Sequence, residues 1–233
     1  MAAPPTHSSR GLGWLVAAIA LGAAIAVAGW WFQRSEVQRL RQVELDRLHA
    51  IGDLKAQWIA DWREELLTDA RRATRGPYLV EHAGLLVAGQ ASDEDREQLQ
   101  ARLRIELEAF HYTQVLLVTP ELRVALAVPD TPSAPGEATA KAVREALASQ
   151  RVALSEMFHS DTGLIVLDAV APILDPQGQA VAALVLRTDA SVELYPRVQS
   201  WPLPSRTAES LILKQQDDAC SFSTSCATRR AQP

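Results

Sequence analysis

The chain has 233 residues, of which 48% are apolar and 22% charged, so it can bury a core and is not a disordered polymer. Its 23 basic and 28 acidic side chains give a net charge of -5 and are scattered, with no Lys/Arg cluster dense enough to follow a phosphate backbone. Nucleic acid is thereby excluded as a partner. Both cysteines, Cys220 and Cys226, lie near the C-terminus, so the rest of the chain holds no disulfide, thiol nucleophile or cysteine ligand.

Residues 1–10 are read as a cytoplasmic N-terminal tail. From Gly11 to Phe32 there is no charge over 22 residues. At ~1.5 Å per residue a helix of that length matches the ~30 Å hydrocarbon layer, and Trp14, Trp30 and Trp31 stand where rings prefer the headgroup level. Residues 11–33 are therefore read as one transmembrane helix. A cleaved signal peptide is the competing reading, since Ala26-Val27-Ala28 has the small-residue spacing of a cleavage site, but the apolar run exceeds the ~7–15 residues of a signal core. Only Arg10 precedes the run, whereas Arg34, Arg39, Arg41 and Arg47 follow it. Counting positives alone would put the following domain in the cytoplasm. Large domains translocate largely regardless of charge, and the reading adopted places the N-terminus inside and the domain outside.

Residues 34–75 are rich in Leu, Gln, Glu, Arg and Ala and read as one long helix. Leu45, Leu48, Ile51, Leu54 or Lys55, Trp58, Trp62 and Leu66 form a stripe of 21 residues in six steps, a mean near 3.5. That period suits a homodimeric seam or packing against the domain that follows. Gly76-Pro77 breaks the helix. A second helix is expected from Ser92 to Phe110, with Ser92 as N-cap, an acidic first turn, and a ridge of Leu99, Leu103 and Leu107.

Residues Thr113–Thr119 and Val124–Pro129 read as a hairpin. After a Pro/Ser/Gly loop comes a helix from Glu137 to Ser149. Three more strands are expected at Val152–Phe158, Leu164–Leu174 and Ala180–Arg187, separated by the turn sequences Ser160–Gly163 and Asp175–Gly178. Asp189–Val198 reads as a closing helix. The fold class is α/β (α+β), with a roughly five-stranded antiparallel sheet and helices stacked on one face.

No catalytic signature is present: there is no phosphate-binding loop, zinc-protease motif, nucleophile elbow, kinase or cyclase motif. No enzyme activity, metal or cofactor is expected. Candidate polar groups for a solute at the sheet and its loops are Tyr112, Arg123, His159, Asp168 and Arg187. Asp168 interrupts the apolar run Leu164–Leu174, on the face shared with Leu164 and Val166, and a carboxylate there needs a partner. Arg187 either supplies it or ends its strand in solvent. His159 with Asp161 either meets a solute or belongs to a turn in which Asp161 caps its own backbone.

This order of elements resembles the PAS-like Cache sensor region of bacterial transmembrane receptors, among them sensor histidine kinases and diguanylate cyclases. The residues that carry the likeness are the long helix after the first span, Val115–Arg123 (VLLVTPELR), Leu167–Gly178 (LDAVAPILDPQG), Ala182–Arg187 (AALVLR) and Leu194–Leu213 (LYPRVQSWPLPSRTAESLIL). The last is the most specific. The resemblance implies a single-pass inner-membrane protein with a periplasmic sensor: a membrane-distal Cache domain over residues 76–200 and the start of a membrane-proximal subdomain over 201–218. It implies a small-molecule ligand, a homodimer through the long helix, and a kinase or cyclase output domain in full-length relatives. A membrane-anchored scaffold that dimerises and binds nothing small is the alternative. Residues 219–233 lack alternation or helical period and read as an unstructured tail. One base of frame shift in a suitable codon set would turn Ala219–Thr228 into the strand and helix expected of the family, which reads the chain as a truncated receptor; a naturally short chain with a flexible tail is the other reading.

Overall fold

The computed structural model describes residues 9–130, 135–200, 213–216 and 219–222, with backbone alone for 9–13, 15–18, 37, 213–216 and 219–222. The chain divides into two compact units, Met1–Leu54 and Lys55–Pro233.

The first helix, α1, is continuous from Ser9 to Ala73, so the two helices expected at 11–33 and 34–75 are one. In the first unit its apolar side chains are uncovered: Ile19, Leu21, Ile25, Val27, Trp30, Trp31 and Phe32 are each more than half exposed, as are Leu40, Leu45 and Leu48. Among the described residues no helix is long and apolar enough to cross a membrane.

In the second unit α1 is followed by α2 (Pro77–Val87), α3 (Asp93–Ala109), β1 (Gln114–Val118), β2 (Val124–Val128), α4 (Glu137–Ser149), β3 (Ala153–Leu154), β4 (Phe158–His159), β5 (Ile165–Leu174), β6 (Ala180–Asp189) and α5 (Ala190–Gln199). A separate hairpin pairs β7 (Leu213–Gln216) with β8 (Ala219–Phe222). Four residues of the expected unstructured tail are thus a strand; Cys226 lies outside the described residues.

The main sheet is antiparallel, in the order β2-β1-β6-β5-β3, with β4 also paired to β5. It has six strands rather than five because the expected strand 152–158 is split. The Ser155 hydroxyl accepts the Asp168 N–H at 2.9 Å, a side chain standing where a ladder carbonyl would, and β3 ends there before β4 begins. The hairpin turn between β5 and β6 forms as expected. Asp175 Oδ1 accepts from the N–H groups of Gln177 and Gln179, and Gly178 takes the left-handed φ of 82° that a side chain would resist.

Helices cover both faces of the sheet, which corrects the expectation of one. On one face Trp62, Leu66 and Ala70 of α1, Leu79 and Ala83 of α2, Leu99 and Leu103 of α3 and Leu194 of α5 pack on Val115, Leu117, Leu167, Ile173, Leu184 and Leu186. On the other, α4 lays Ala142, Val143 and Ala146 against Leu116, Val118, Val170, Ala183 and Val185. Small residues at i, i+1 and i+4 bring this helix close to the strands. At the far end of α5, the buried Lys55 amine donates to the Val198 carbonyl at 2.6 Å, a cation at a helix C-terminus, while desolvation holds its pKa below the usual lysine value.

α3 begins as expected. The Ser92 hydroxyl accepts the Asp95 N–H at 3.1 Å, and the Asp95 carboxylate accepts from Ser92 N and Oγ in a reciprocal capping box. Those two bonds, led by the Ser92 hydroxyl, hold the Asp95 carboxyl below its usual pKa. Because the folded pKa is depressed, this contribution to stability is present above the unfolded value and lost as pH falls through the folded one. Ser92→Ala is expected to cost about 1 kcal/mol in a urea titration and to flatten the acid limb of the stability profile.

Candidate ligand-binding site

The site is built where β5, β6 and β1 lie side by side under α4. Register sets Asp168 opposite Arg187, and Arg187 opposite Gln114. All three side chains point to the face that α4 covers, by the same alternation that puts Val170, Val185 and Leu116 there. Asp168 has no solvent exposure. Arg187 answers it with two parallel bonds, Nε to Oδ1 at 2.8 Å and Nη2 to Oδ2 at 3.0 Å. From α4, Thr139 donates its hydroxyl to Asp168 Oδ2 at 2.6 Å and accepts from Arg187 Nη2 at 3.2 Å. Arg187 Nη1 donates to Gln114 Oε1 at 2.8 Å, and its guanidinium lies 5.2 Å from the centre of the Phe158 ring. A buried carboxylate is tolerated only with such complete pairing.

Above this floor is a cavity of about 630 Å³. Its walls are the N-cap and the first three turns of α4 (Gly136, Glu137, Lys141, Glu145) and the segment Leu154–Asp161, with Arg187 at the bottom. Leu154, Phe158 and Ala142 give it an apolar part. Around the mouth stand Lys141, His159, Glu137, Glu145, Glu156 and Asp161, and Lys141 pairs with Glu156 at 3.1 Å. A volume of this size, with an apolar wall and a few directed polar groups, suits a small organic solute.

Of the five candidate residues, the structure brings together three. Arg187 and His159 line the cavity, and Asp168 fixes Arg187 from below. Tyr112 and Arg123 do not join them. Tyr112 precedes β1 across a bend at Thr113, outside the strand's alternation, and its side chain lies in the opposite core. There its hydroxyl is buried without a partner among the described residues, and burial first, then the Asp69 carboxylate, push its pKa well above the ordinary tyrosine value. Arg123 is in the β1–β2 turn, exposed and 3.5 Å from Glu121. Asp161 lines the cavity, and the turn around it is capped by Ser160, whose hydroxyl accepts the Leu164 N–H at 3.2 Å. Sequence reading misses Gln114, Thr139, Lys141 and Phe158. For Thr139 a signal exists: it sits one turn before Val143 on the buried face of the helix.

No protein-family model matches the chain, and no curated protein matches it. Solved structures do. The sensor domain of the Vibrio cholerae (V. cholerae) histidine kinase DctB is similar at 14% identity and a TM-score of 0.54, over 68% of this chain and 60% of that one. The ligand-binding domain of the Campylobacter jejuni chemoreceptor Tlp3, in complexes with L-valine and with 4-methylisoleucine, is similar at 14% identity and a TM-score of 0.50, over 65% of this chain and 62% and 60% of the others. The chain spans about three fifths of the length of the structures it matches. At such identity the likeness speaks for the fold, which is that of Cache-type sensory domains of bacterial receptors, as the sequence resemblance leads one to expect.

Proposed function

We propose that this chain is the input module of a bacterial transmembrane receptor, and that it senses a small solute held in the cavity between α4 and the sheet. The observation that carries the reading is the cavity itself: about 630 Å³ over the Arg187–Asp168 floor, with apolar and charged walls. His159, Lys141 and Arg187 would meet the solute, and Asp168 and Thr139 act as positioning residues for Arg187. A solute drives a response only by binding one arrangement better than another. The α4 turns and the Leu154–Asp161 segment, which supply most of the lining, are the parts whose arrangement it would select.

The membrane anchor belongs to the same proposal. The uncharged run Gly11–Phe32 supports it, as do the uncovered Ile19, Ile25, Trp30 and Trp31, since an apolar surface of that extent in water is unstable. The N-terminus would be cytoplasmic and the second unit periplasmic. Leu45 and Leu48, both exposed, support a homodimeric seam along α1. They equally support the second reading, a dimerising scaffold that binds nothing small, and cysteine cross-linking at Leu48 would report the seam in either case.

Thermal-shift screening of the full chain in detergent, against amino acids, organic acids and amines, separates the two. A cognate solute at a hundred times its Kd raises stability by about 2.7 kcal/mol, seen as a higher Tm. His159→Ala and Lys141→Glu, both at the mouth, are expected to abolish that shift with little change in the unliganded Tm. A shift that survives both variants, or the absence of any shift across the screen, goes against the sensing reading.

A further inference from the structure

A second cleft, of about 460 Å³, lies in the second unit between the C-terminal end of α1, the end of α4 and the end of β5. It is lined by Arg71, Thr74, Arg75, Gln150, Arg151, Val152, Pro172 and Leu174. Three of these eight are arginines and none is acidic, whereas the first cavity has four carboxylates among fourteen lining residues. In a protein of net charge -5, that local excess of positive charge is a departure from the average surface. Arg71 reaches Glu64 at 3.4 Å, a pair exposed on both sides and therefore weak. Arg72, their neighbour in sequence, is by contrast taken up by the buried Glu106 at 3.2 Å and by the Phe110 ring, and does not line the cleft.

The backbone keeps the three arginines together. Arg71 sits in the last turn of α1 and Arg75 just past the helix end, while Gln150, in a left-handed φ of 54°, turns the chain out of α4 and delivers Arg151 to the opposite wall. Gln150 Nε2 donates to the Gly178 carbonyl at 2.7 Å, which ties that wall to the β5–β6 turn. Three guanidinium groups repel one another, a cost that a multivalent anion removes and that forked N–H donors convert into paired bonds.

We propose that this cleft binds a small polyvalent oxyanion, a phosphate or a polycarboxylate, at a site separate from the cavity under α4. The alternative use of these arginines, offsetting the partial negative charge of the α1 and α4 C-terminal carbonyls, would act on stability and not on anion response.

The full chain in detergent at low salt is titrated calorimetrically with inorganic phosphate and, separately, with citrate. Arg75→Gln/Arg151→Gln removes both charges without reversing them, and Arg123→Gln, in the β1–β2 turn, controls for an exposed arginine elsewhere. The expected result is saturable binding of at least one probe that weakens about tenfold or more in the double variant, falls with added salt, and is unchanged in Arg123→Gln. The stronger probe identifies the phosphate or carboxylate class. Binding of equal strength in the double variant, or no binding of either probe at millimolar concentration, overturns the proposal. Circular dichroism tests whether the double variant is folded; if it is not, Arg151→Lys, which keeps the charge and loses the fork, is used with the same criteria.

Discussion

Asp168→Ala is expected to lose about 3 kcal/mol of stability, because it leaves the Arg187 guanidinium, 11% exposed at the cavity floor, without its carboxylate. For a chain of this size that is a fall in Tm of roughly 10 °C. The loss does not measure the worth of the pair. Two charges taken from water pay a desolvation cost close to what their attraction returns, so the double change Asp168→Leu/Arg187→Met is expected to recover most of the single-variant loss. Urea unfolding of the two single variants and the double variant gives the coupling. Additive losses would show that Asp168 and Arg187 do not depend on each other. The double variant would still lose solute binding, because Arg187 is the floor of the cavity.

Trp62→Ala is the second large effect, about 3–5 kcal/mol, since the indole is 2% exposed and packs within the core that seats α1, α2 and α5 on the sheet. Trp62→Phe separates size from polarity at that position. The indole Nε1 is buried with no hydrogen-bond partner among the described residues, so phenylalanine gives up volume but also removes an unmet donor worth about 1–3 kcal/mol. The expected net change for Trp62→Phe is within about 1 kcal/mol in the same urea titration. A loss as large as that of the alanine variant would mean that Nε1 has a partner in solution.

The second unit was legible wherever local chemistry and periodicity agreed. Ser92 with its acidic first turn places the start of α3, and Glu137–Ser149 is read with the bounds that α4 has. The turn at Asp175–Gly178 is read from the side chain that caps it. The failures have particular causes. Gly76-Pro77 reads as a stop, yet proline at the first helical position is also a start, and α2 begins at Pro77. The single-sided sheet follows from the element order, whereas Ile165–Leu174 points the other way: a strand buried along nearly its whole length needs cover on both faces. The division of 152–158 depends on one hydroxyl, Ser155 bonding to Asp168, a tertiary event that no local pattern encodes.

The site was legible to the same degree. A charge inside an apolar strand announces a buried partner, and Arg187 is that partner across the register of β5 and β6. Thr139 and Gln114 complete the pair from α4 and β1, and neither could be placed without knowing which elements become neighbours. Tyr112 is misplaced because it lies before β1 across the bend at Thr113, and the alternation that sorts side chains between the two faces holds only within the strand.

Hydrogen–deuterium exchange of the full chain in detergent, with and without the most stabilising solute, tests the central claim most directly. Occupation of the cavity predicts added protection in residues 136–142 and 154–161, and no change at Leu99 and Leu103 on the far side of the sheet. Protection confined to α3 or α5, or spread evenly over the second unit, would contradict it.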